Sequence, residues 1–325
     1  MASSDITLPL RHLRELLGRD VQVNVEATPV KEESRRPTPD EQTQTAKTQP
    51  GASRKKFHND PERKFKQAKK RAEKVARKQA DRGIMMERAQ KYLGVGGYRF
   101  LNTVTEPVVL VCVDVEATER KPHVLTEVGI AILDTKLCAA AALPPPPRLS
   151  DGQGGGGRDE GLTEWWDFIS AHHIRIQEYL HHVNHKYVQG YPDGFNFGES
   201  TCCARADLRD EVKKLLEEHT ARGRRHVVLV GHNLRCDVEY LKTEGMSIRD
   251  HCQVIGEIDT EALYQHCFGA QSQTGLETIL RRMLMPYRRL HNAGNDAVYT
   301  LRAMIGMALL GKVSVAKDET GSQGE

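Results

Sequence analysis

Four acidic side chains and one histidine are the residues of this chain that could carry out metal-dependent chemistry. They are Asp114, Glu116, Asp237, His291 and Asp296. Hard cations such as Mg²⁺ bind through carboxylate oxygens. Two such ions roughly 4 Å apart can activate a water molecule and stabilise the leaving oxygen of a phosphodiester. The first hypothesis is therefore metal-dependent nuclease chemistry.

Each of these residues has an ordinary explanation when it is taken alone. Acids are common at strand ends, and the helix macrodipole favours Asp in the first turn of a helix, so neither Asp114 nor Asp237 identifies a site. A single histidine such as His291 is more often a surface or core residue than a base. Asp114 and Glu116, however, are two residues apart on a predicted strand and therefore point to the same face. The interpretation as a site depends on the five residues together.

Five apolar segments are typical of strands. They span residues 108–115, 127–133, 173–178, 227–231 and 254–258. The β-branched run of the first is typical of a strand buried on both faces. Helical patterns separate the later strands, so we expect an α/β fold: a mixed, mostly parallel five-stranded sheet with helices on both faces and an antiparallel hairpin at its start.

Helices are predicted over residues 207–222, 274–284 and 295–309, and a further one follows the strand 227–231. Asn295 can serve as the N-cap of the last helix, which places Asp296 in its first turn. Asp237 lies in the first turn of the helix after the fourth strand. The turn before Asn295 contains Asn292 and Gly294 and could fold His291 back toward Asp296.

Three motifs resemble those of the DEDDh exonucleases in the ribonuclease H-like superfamily. They are Asp114-x-Glu116, His232-Asn233-x-x-x-Asp237 and His291-x-Ala293-x-x-Asp296, within roughly residues 105–310. The resemblance implies that the four acids ligate two Mg²⁺ or Mn²⁺ ions and that His291 is the general base. It also implies a 3′-to-5′ exonuclease that acts on a single-stranded 3′ end of RNA or DNA and releases nucleoside 5′-monophosphates.

A closer likeness connects the chain with fungal proteins of that superfamily described as "good for full DEAD-box activity" factors. The similar phrases lie at residues 126–131, 173–178, 195–200 and 291–297. This likeness implies a role around messenger RNA and helicases. A non-catalytic adaptor that binds RNA, an RNA helicase or an mRNA-export partner is therefore the alternative function, and a ribonuclease H-type endonuclease is a third. The intact set of acids and His291 favours the exonuclease.

Other residues near these motifs have two open interpretations. His232 and Asn233 either contact substrate near the metals or hold the loop that carries Asp237. Aromatic residues that could stack on bases are Trp165, Trp166, Phe195 and Phe197. The histidines at positions 172, 173, 181, 182 and 185 show no zinc-ligand spacing with cysteines, and a surface helix explains them.

A basic segment precedes the predicted domain. Residues 54–78 contain twelve Lys or Arg against three acids. Because the whole chain has a formal charge of only +3, the remainder of the chain is net acidic. Lys55, Lys56, Lys69, Lys70 and Arg71 could bind phosphates of the substrate. The same residues have the layout of a bipartite nuclear localisation signal, so we expect nuclear or cytoplasmic protein. A solvated charged helix is the alternative.

Composition divides the chain into four segments. Residues 1–53 are predicted to be a disordered tail with a short amphipathic helix, 54–97 a basic helical arm, 98–312 the ribonuclease H-like domain with a disordered insertion at 139–160, and 313–325 a disordered tail. Acids among the first 20 residues argue against a mitochondrial transit peptide. Seven cysteines without a Cys-x-x-Cys pair indicate a reducing compartment. No apolar run reaches the roughly 20 residues of a membrane span, so no membrane partner is expected.

Overall fold

Six strands form one mixed sheet, which positions the predicted site. They are β1 (Val109–Ala117), β2 (Leu125–Asp134), β3 (Ser170–Ile176), β4 (Ser200–Cys203), β5 (His226–Gly231) and β6 (Gln253–Asp259). Their order is β4-β3-β2-β1-β5-β6. Strand β2 is antiparallel to β1 and β3, and the other neighbouring pairs are parallel. The predicted mixed sheet with its initial hairpin is confirmed, and β4 adds a sixth strand.

The structure is a computed structural model that describes residues 61–96, 98, 107–150 and 163–320, of which 61 and 312–320 are described by their backbone alone. The helices in these ranges are α1 (Pro61–Leu93), α2 (Thr135–Ala140), α3 (Thr163–Trp166), α4 (Leu208–His219), α5 (Leu234–Thr243), α6 (Thr260–Phe268), α7 (Leu276–Arg282) and α8 (Ala293–Thr320). None of the helices in the described ranges is long and apolar enough to cross a membrane.

Strand β1 separates two apolar cores because its side chains alternate between the faces of the sheet. Val109, Val111 and Val113 pack on the face that α4 and α5 cover. Leu110 and Cys112 pack on the opposite face, against α8 and the end of α1. Asp114 and Glu116 continue this second series at the end of the strand. The alternation therefore directs both acids toward α8.

Helix α1 differs from the predicted solvated arm over its second half. Met86, Ala89, Leu93 and the following Val95 are at most 3% exposed and belong to the core under α8. The side-chain amide of Gln90 donates a 3.0 Å hydrogen bond to a carbonyl of α8. Residues 62–80 are exposed as expected. The second half of α1 thus packs with the domain predicted to begin at residue 98, because its apolar side chains are spaced along one face of the helix.

Two segments predicted to be disordered also differ in part. The insertion 139–160 begins in α2, and its proline-rich continuation to residue 150 packs on the core, with Pro144 and Pro147 buried. Ser150 N–H donates to the carbonyl of Arg282. Residues 151–160 lie outside the described residues, as do residues 1–53. Helix α8 continues to Thr320, into the segment 313–325 predicted as a tail.

Candidate metal centre

A glycine on β2 lets α8 approach the end of β1. Gly129 lies opposite Asp114 in the β1–β2 register. A Cβ atom on Gly129 would lie 1.8 Å from the carbonyl oxygen of Ala293, the first residue of α8. Helix α8 can therefore rest on the sheet only because this position lacks a side chain. The contact brings the first turn of α8 beside the two acids of β1.

The first turn of α8 begins two residues before the predicted start. Asn292 caps the helix, because its side-chain oxygen accepts a 3.0 Å hydrogen bond from the N–H of Asn295. The predicted N-cap, Asn295, is instead fully buried within the helix. Its amide group donates to the carbonyls of Gly194 and Arg289 at 3.0 Å each, and its oxygen accepts from Asn196 N–H at 2.8 Å. Asn295 thus fixes α8 to the loop that precedes β4.

His291 and Asp296 reach the site from this same turn. The main-chain N–H of His291 donates a 2.9 Å hydrogen bond to Oδ2 of Asp296. Nδ1 of His291 lies 3.9 Å from Oε1 of Glu116. One ligand atom from each of Glu116, His291 and Asp296 lies within 4.8 Å of the others. Residues that are up to 180 positions apart in the chain therefore meet in one group.

Asp237 completes the acidic cluster from the first turn of α5. Its side chain is 7% exposed, as is that of Asp296. The carboxylate accepts a hydrogen bond from the main chain of Val115, between the two acids of β1. Oδ2 of Asp237 and Oδ1 of Asp296 are buried without a hydrogen-bond partner in the described part of the chain. Two oxygens that strongly prefer a partner are therefore available inside the cluster.

Burial and neighbouring negative charges raise the pKa of all four acids. Burial, then the charges of Asp237, Asp296 and Glu116, hold the pKa of Asp114 well above its usual value. Burial is also the main cause that raises the pKa of Glu116, Asp237 and Asp296 to about 8. Carboxylates this close cannot all be ionised near neutral pH unless a cation balances them. The donor set, all oxygen with unpartnered atoms, fits Mg²⁺ or Mn²⁺.

His291 has the properties of a base. Its side chain is 47% exposed and so remains accessible to a reactant. Burial of the remainder lowers the pKa of the imidazole, and the charge of Glu277 opposes this effect only partly. The ring is thus neutral at pH 7 and can accept a proton. His291 lies in the left-handed region, with φ of 65°.

His232 and Asn233 contact the end of β6 and the start of α6. Nδ1 of His232 lies 3.0 Å from the hydroxyl of Thr260 at the start of α6. The main-chain N–H of Asn233 donates to Asp259, and the side-chain amide of Asn233 donates to the sulfur of Cys236. These contacts fit the interpretation in which both residues hold the loop before Asp237.

A buried row of polar side chains lies under α8, and the sequence patterns did not predict it. Oε2 of Glu127 lies 2.9 Å from Nε2 of His173 and accepts a 3.3 Å hydrogen bond from the N–H of Ala293. Nδ1 of His173 lies 2.8 Å from the hydroxyl of Ser200. His172 and His173 lie on β3, so the predicted surface helix is wrong for these two. The acidic residue at the start of the apolar run 127–133 was the available signal.

Most of the aromatic residues that could stack on bases pack against other parts of the protein instead. Trp165 and Trp166 are buried in the core. Phe195 packs on the ring of His173, with 5.3 Å between ring centroids, and on Gly294. Phe197 packs on Tyr299 and on the guanidinium of Arg302. A ring that stacks on a base near the site would therefore have to belong to another residue.

The mixed sheet with its acidic cluster is the arrangement of a DEDDh protein. Residues 109–307 match the model of a DEDDh family described as "DNA polymerase III subunit epsilon-like, C-terminal domain". The chain belongs to this family, whose exonuclease fold supports a nuclease-type function. The family predicted from the motifs is confirmed.

Two curated relatives from Saccharomyces cerevisiae (strain ATCC 204508 / S288c) are similar to the chain. "Uncharacterized protein YDR514C" is 28% identical over 220 residues, which cover 59% of this chain and 39% of the relative. "Good for full DBP5 activity protein 2" is 27% identical over 222 residues, which cover 61% and 35%. The chain thus spans less than two fifths of either relative. The predicted likeness to the latter group is confirmed.

A solved structure is also similar. It is the nuclease domain of 3′hExo, described as a DEDDh family member bound to rAMP. The match has a TM-score of 0.38 and 12% sequence identity, and it covers 66% of this chain and 94% of that one.

Proposed function

We propose that this protein is a metal-dependent 3′-to-5′ exonuclease that releases nucleoside 5′-monophosphates from RNA or DNA. The observation that carries the proposal is the convergence of Asp114, Glu116, Asp237 and Asp296 with His291. Their burial and raised pKa values make the cluster unfavourable without a cation. A cluster of this kind costs stability, so a metal-dependent role accounts for it better than a structural one does.

In this proposal the four acids hold two Mg²⁺ or Mn²⁺ ions. When bound, these ions would supply Lewis-acid stabilisation of the phosphodiester and activation of water. The neutral imidazole of His291 accepts the proton of the attacking water. The hydrogen bond from His291 N–H to Asp296 keeps the imidazole next to the acids throughout the reaction. Glu116, 3.9 Å away, stabilises the imidazolium that results.

The exposed half of α1 contributes to nucleic-acid binding. Lys69, Lys70 and Arg71 are all exposed there. Lys55 and Lys56 lie outside the described residues. We retain all five as phosphate contacts and as a bipartite nuclear signal, which would bring the enzyme to nuclear RNA or DNA.

The second candidate function is a non-catalytic adaptor that binds RNA or a helicase. The name of one relative, which refers to DBP5 activity, favours this function. The acid cluster distinguishes the two functions, because an adaptor does not need it.

The test uses the purified full chain with end-labelled single-stranded RNA, single-stranded DNA and duplexes. We expect Mg²⁺-dependent release of mononucleotides that EDTA abolishes. Asp114→Asn should lose this activity, while Asp250→Asn, the same change at an exposed position, should keep it. If no substrate is cleaved, or if Asp114→Asn cleaves at the wild-type rate, the proposal is wrong.

A further inference from the structure

The loop of residues 180–191, between β3 and β4, presents an unusual group of exposed apolar side chains. Leu180, Val183, Tyr187, Val188 and Tyr191 are between 36% and 70% exposed, with Tyr187 the most exposed of them. The loop also carries His185 and Lys186, both exposed. Exposed aromatic and cationic groups in one short segment are typical of a binding surface.

This loop is held rigidly despite its exposure. The carboxylate of Glu119 accepts hydrogen bonds from four successive main-chain N–H groups. They are those of His185 (3.3 Å), Lys186 (2.9 Å), Tyr187 (2.6 Å) and Val188 (3.0 Å). Burial alone would raise the pKa of Glu119, but these bonds outweigh it and lower the pKa to about 2. The loop therefore stays attached over the whole physiological pH range.

Hydrogen bonds join the loop to the end of β1 and to the turn that carries His291. Asn184 donates a 2.8 Å hydrogen bond to the carbonyl of Ala117, the last residue of β1, and accepts from Glu119 N–H at 3.2 Å. The N–H of Tyr191 donates to the carbonyl of His291 at 3.0 Å. The loop thus forms a wall beside the acidic cluster.

Lys186 and Tyr187 together present a flat, positively charged surface. The ammonium of Lys186 lies 4.6 Å from the centroid of the Tyr187 ring and 2.9 Å from its hydroxyl. The carboxylate oxygens of Glu119, close to this pair, accept hydrogen bonds from main-chain N–H groups of the loop. Its charge is therefore largely satisfied by the loop itself. The exposed ring and cation remain available to a ligand.

We propose that Tyr187 and Lys186 form a subsite for an unpaired nucleobase and an adjoining phosphate of the strand whose end enters the acidic cluster. The proposal rests on the proposed function. Base stacking on an aromatic ring tolerates any base, and a lysine beside it attracts the backbone. The loop tyrosine takes the place that the buried Trp165 and Trp166 cannot fill. Glu119 acts as a positioning residue, because it holds the loop and does not contact the ligand.

The test measures binding without turnover. Fluorescence anisotropy of a labelled single-stranded oligonucleotide, with Ca²⁺ in place of Mg²⁺, would compare wild type with Tyr187→Ala, Tyr187→Phe and Lys186→Ala. We expect Tyr187→Ala to raise Kd roughly 5- to 150-fold and Tyr187→Phe to have little effect, because the ring is what stacks. Lys186→Ala should reduce the slope of log Kd against log salt concentration by about 0.7.

Two controls define the result. Ile255→Ala removes another exposed apolar side chain, on β6 at the opposite edge of the sheet, and should bind as wild type does. A fully base-paired blunt end should show little dependence on Tyr187. Wild-type Kd values for both Tyr187→Ala and Lys186→Ala, or no binding of single strands by the wild type, would overturn the subsite. Binding that depends on Tyr187 without any cleavage would keep the subsite and reject the exonuclease.

Discussion

The main-chain N–H of His291 donates a hydrogen bond to the carboxylate of Asp296, so the proposed base and the fourth acid are fixed to each other. Because a left-handed residue carries the imidazole, its position depends on this turn and not on a regular element. Hydrogen bonds of Asn292 and Asn295 hold this turn in place. The proposed base and the proposed metal ligand therefore depend on the same turn of the chain.

Loss of the base should reduce turnover while the metal site remains. His291→Asn tolerates the left-handed backbone and should lower kcat by about 10²- to 10⁴-fold. Mn²⁺ affinity measured by calorimetry should change little. In the wild type, kcat should fall with acidification only below the usual histidine pKa of about 6.5, because burial lowers the pKa of His291. An acid limb well above that pH would contradict the assignment.

Metal binding should change stability in a pH-dependent manner. Glu116, Asp237 and Asp296 have a pKa of about 8 in the metal-free fold, against about 4 in the unfolded chain. The folded state therefore holds more protons between these values, and stability falls as pH rises from about 4 to 8. With EDTA, Tm should be several degrees lower at pH 8 than at pH 6. Mg²⁺ should raise Tm more at pH 8, because fewer protons compete.

The isosteric variant Asp237→Asn checks the cause. It removes one buried charge, so in EDTA it should be at least as stable as wild type at pH 8 but should gain little from Mg²⁺. An equal Mg²⁺-induced rise in Tm for the variant and the wild type would show that the ion binds elsewhere.

The close approach of α8 to β2 makes Gly129 sensitive to substitution. Gly129→Ala places a methyl group against the main chain of Ala293, which cannot move alone. We expect a loss of about 3 kcal/mol or more in the free energy of unfolding. Gly83→Ala, in helix α1 with 3.5 Å of space, should instead stabilise by about 0.5–1 kcal/mol. Urea denaturation measures both, and equal effects would refute the packing account.

Glu127 should affect the site through α8. Glu127→Ala removes the acceptor for Ala293 and the partner of His173, and should lower kcat by about 10- to 100-fold. Glu127→Gln keeps an oxygen for both contacts and should retain most activity. If both variants lose activity equally, the charge of Glu127 is what matters, and positioning is not its role.

The exposed half of α1 should give binding its salt dependence. If Lys69, Lys70 and Arg71 each contact a phosphate of a single strand, their joint substitution by Ala should reduce the slope of log Kd against log salt by about 2. Deletion of residues 54–80 should have a larger effect without unfolding the core, which α1 enters after that point. An unchanged slope in anisotropy titrations would limit these residues to a localisation role.

The sequence predicted most of the strands, and the position of the acids at strand and helix ends, for physical reasons. Buried strands such as β1 require continuous β-branched runs, and ligands at strand and helix ends follow from the register of those elements. Strand β4 was missed because Ser200–Cys203 is short and only partly buried. The Glu127–His173 pair was also missed, because a contact between two strands depends on the register between β2 and β3, which local patterns do not contain.

In the proposed function, the length of helix α1 determines how long a nucleic-acid strand must be to reach all of its charges. Its exposed residues 62–80 extend over about 30 Å, at 1.5 Å per residue, from the point where the helix enters the core. An unbroken helix holds its charges at fixed distances from the acidic cluster, whereas a flexible tail would spread them over many positions. A strand of a few nucleotides can occupy the cluster alone, and only a longer one can also reach the far turns of the helix. Short and long strands should thus be distinguished by the protein itself, independently of their sequence.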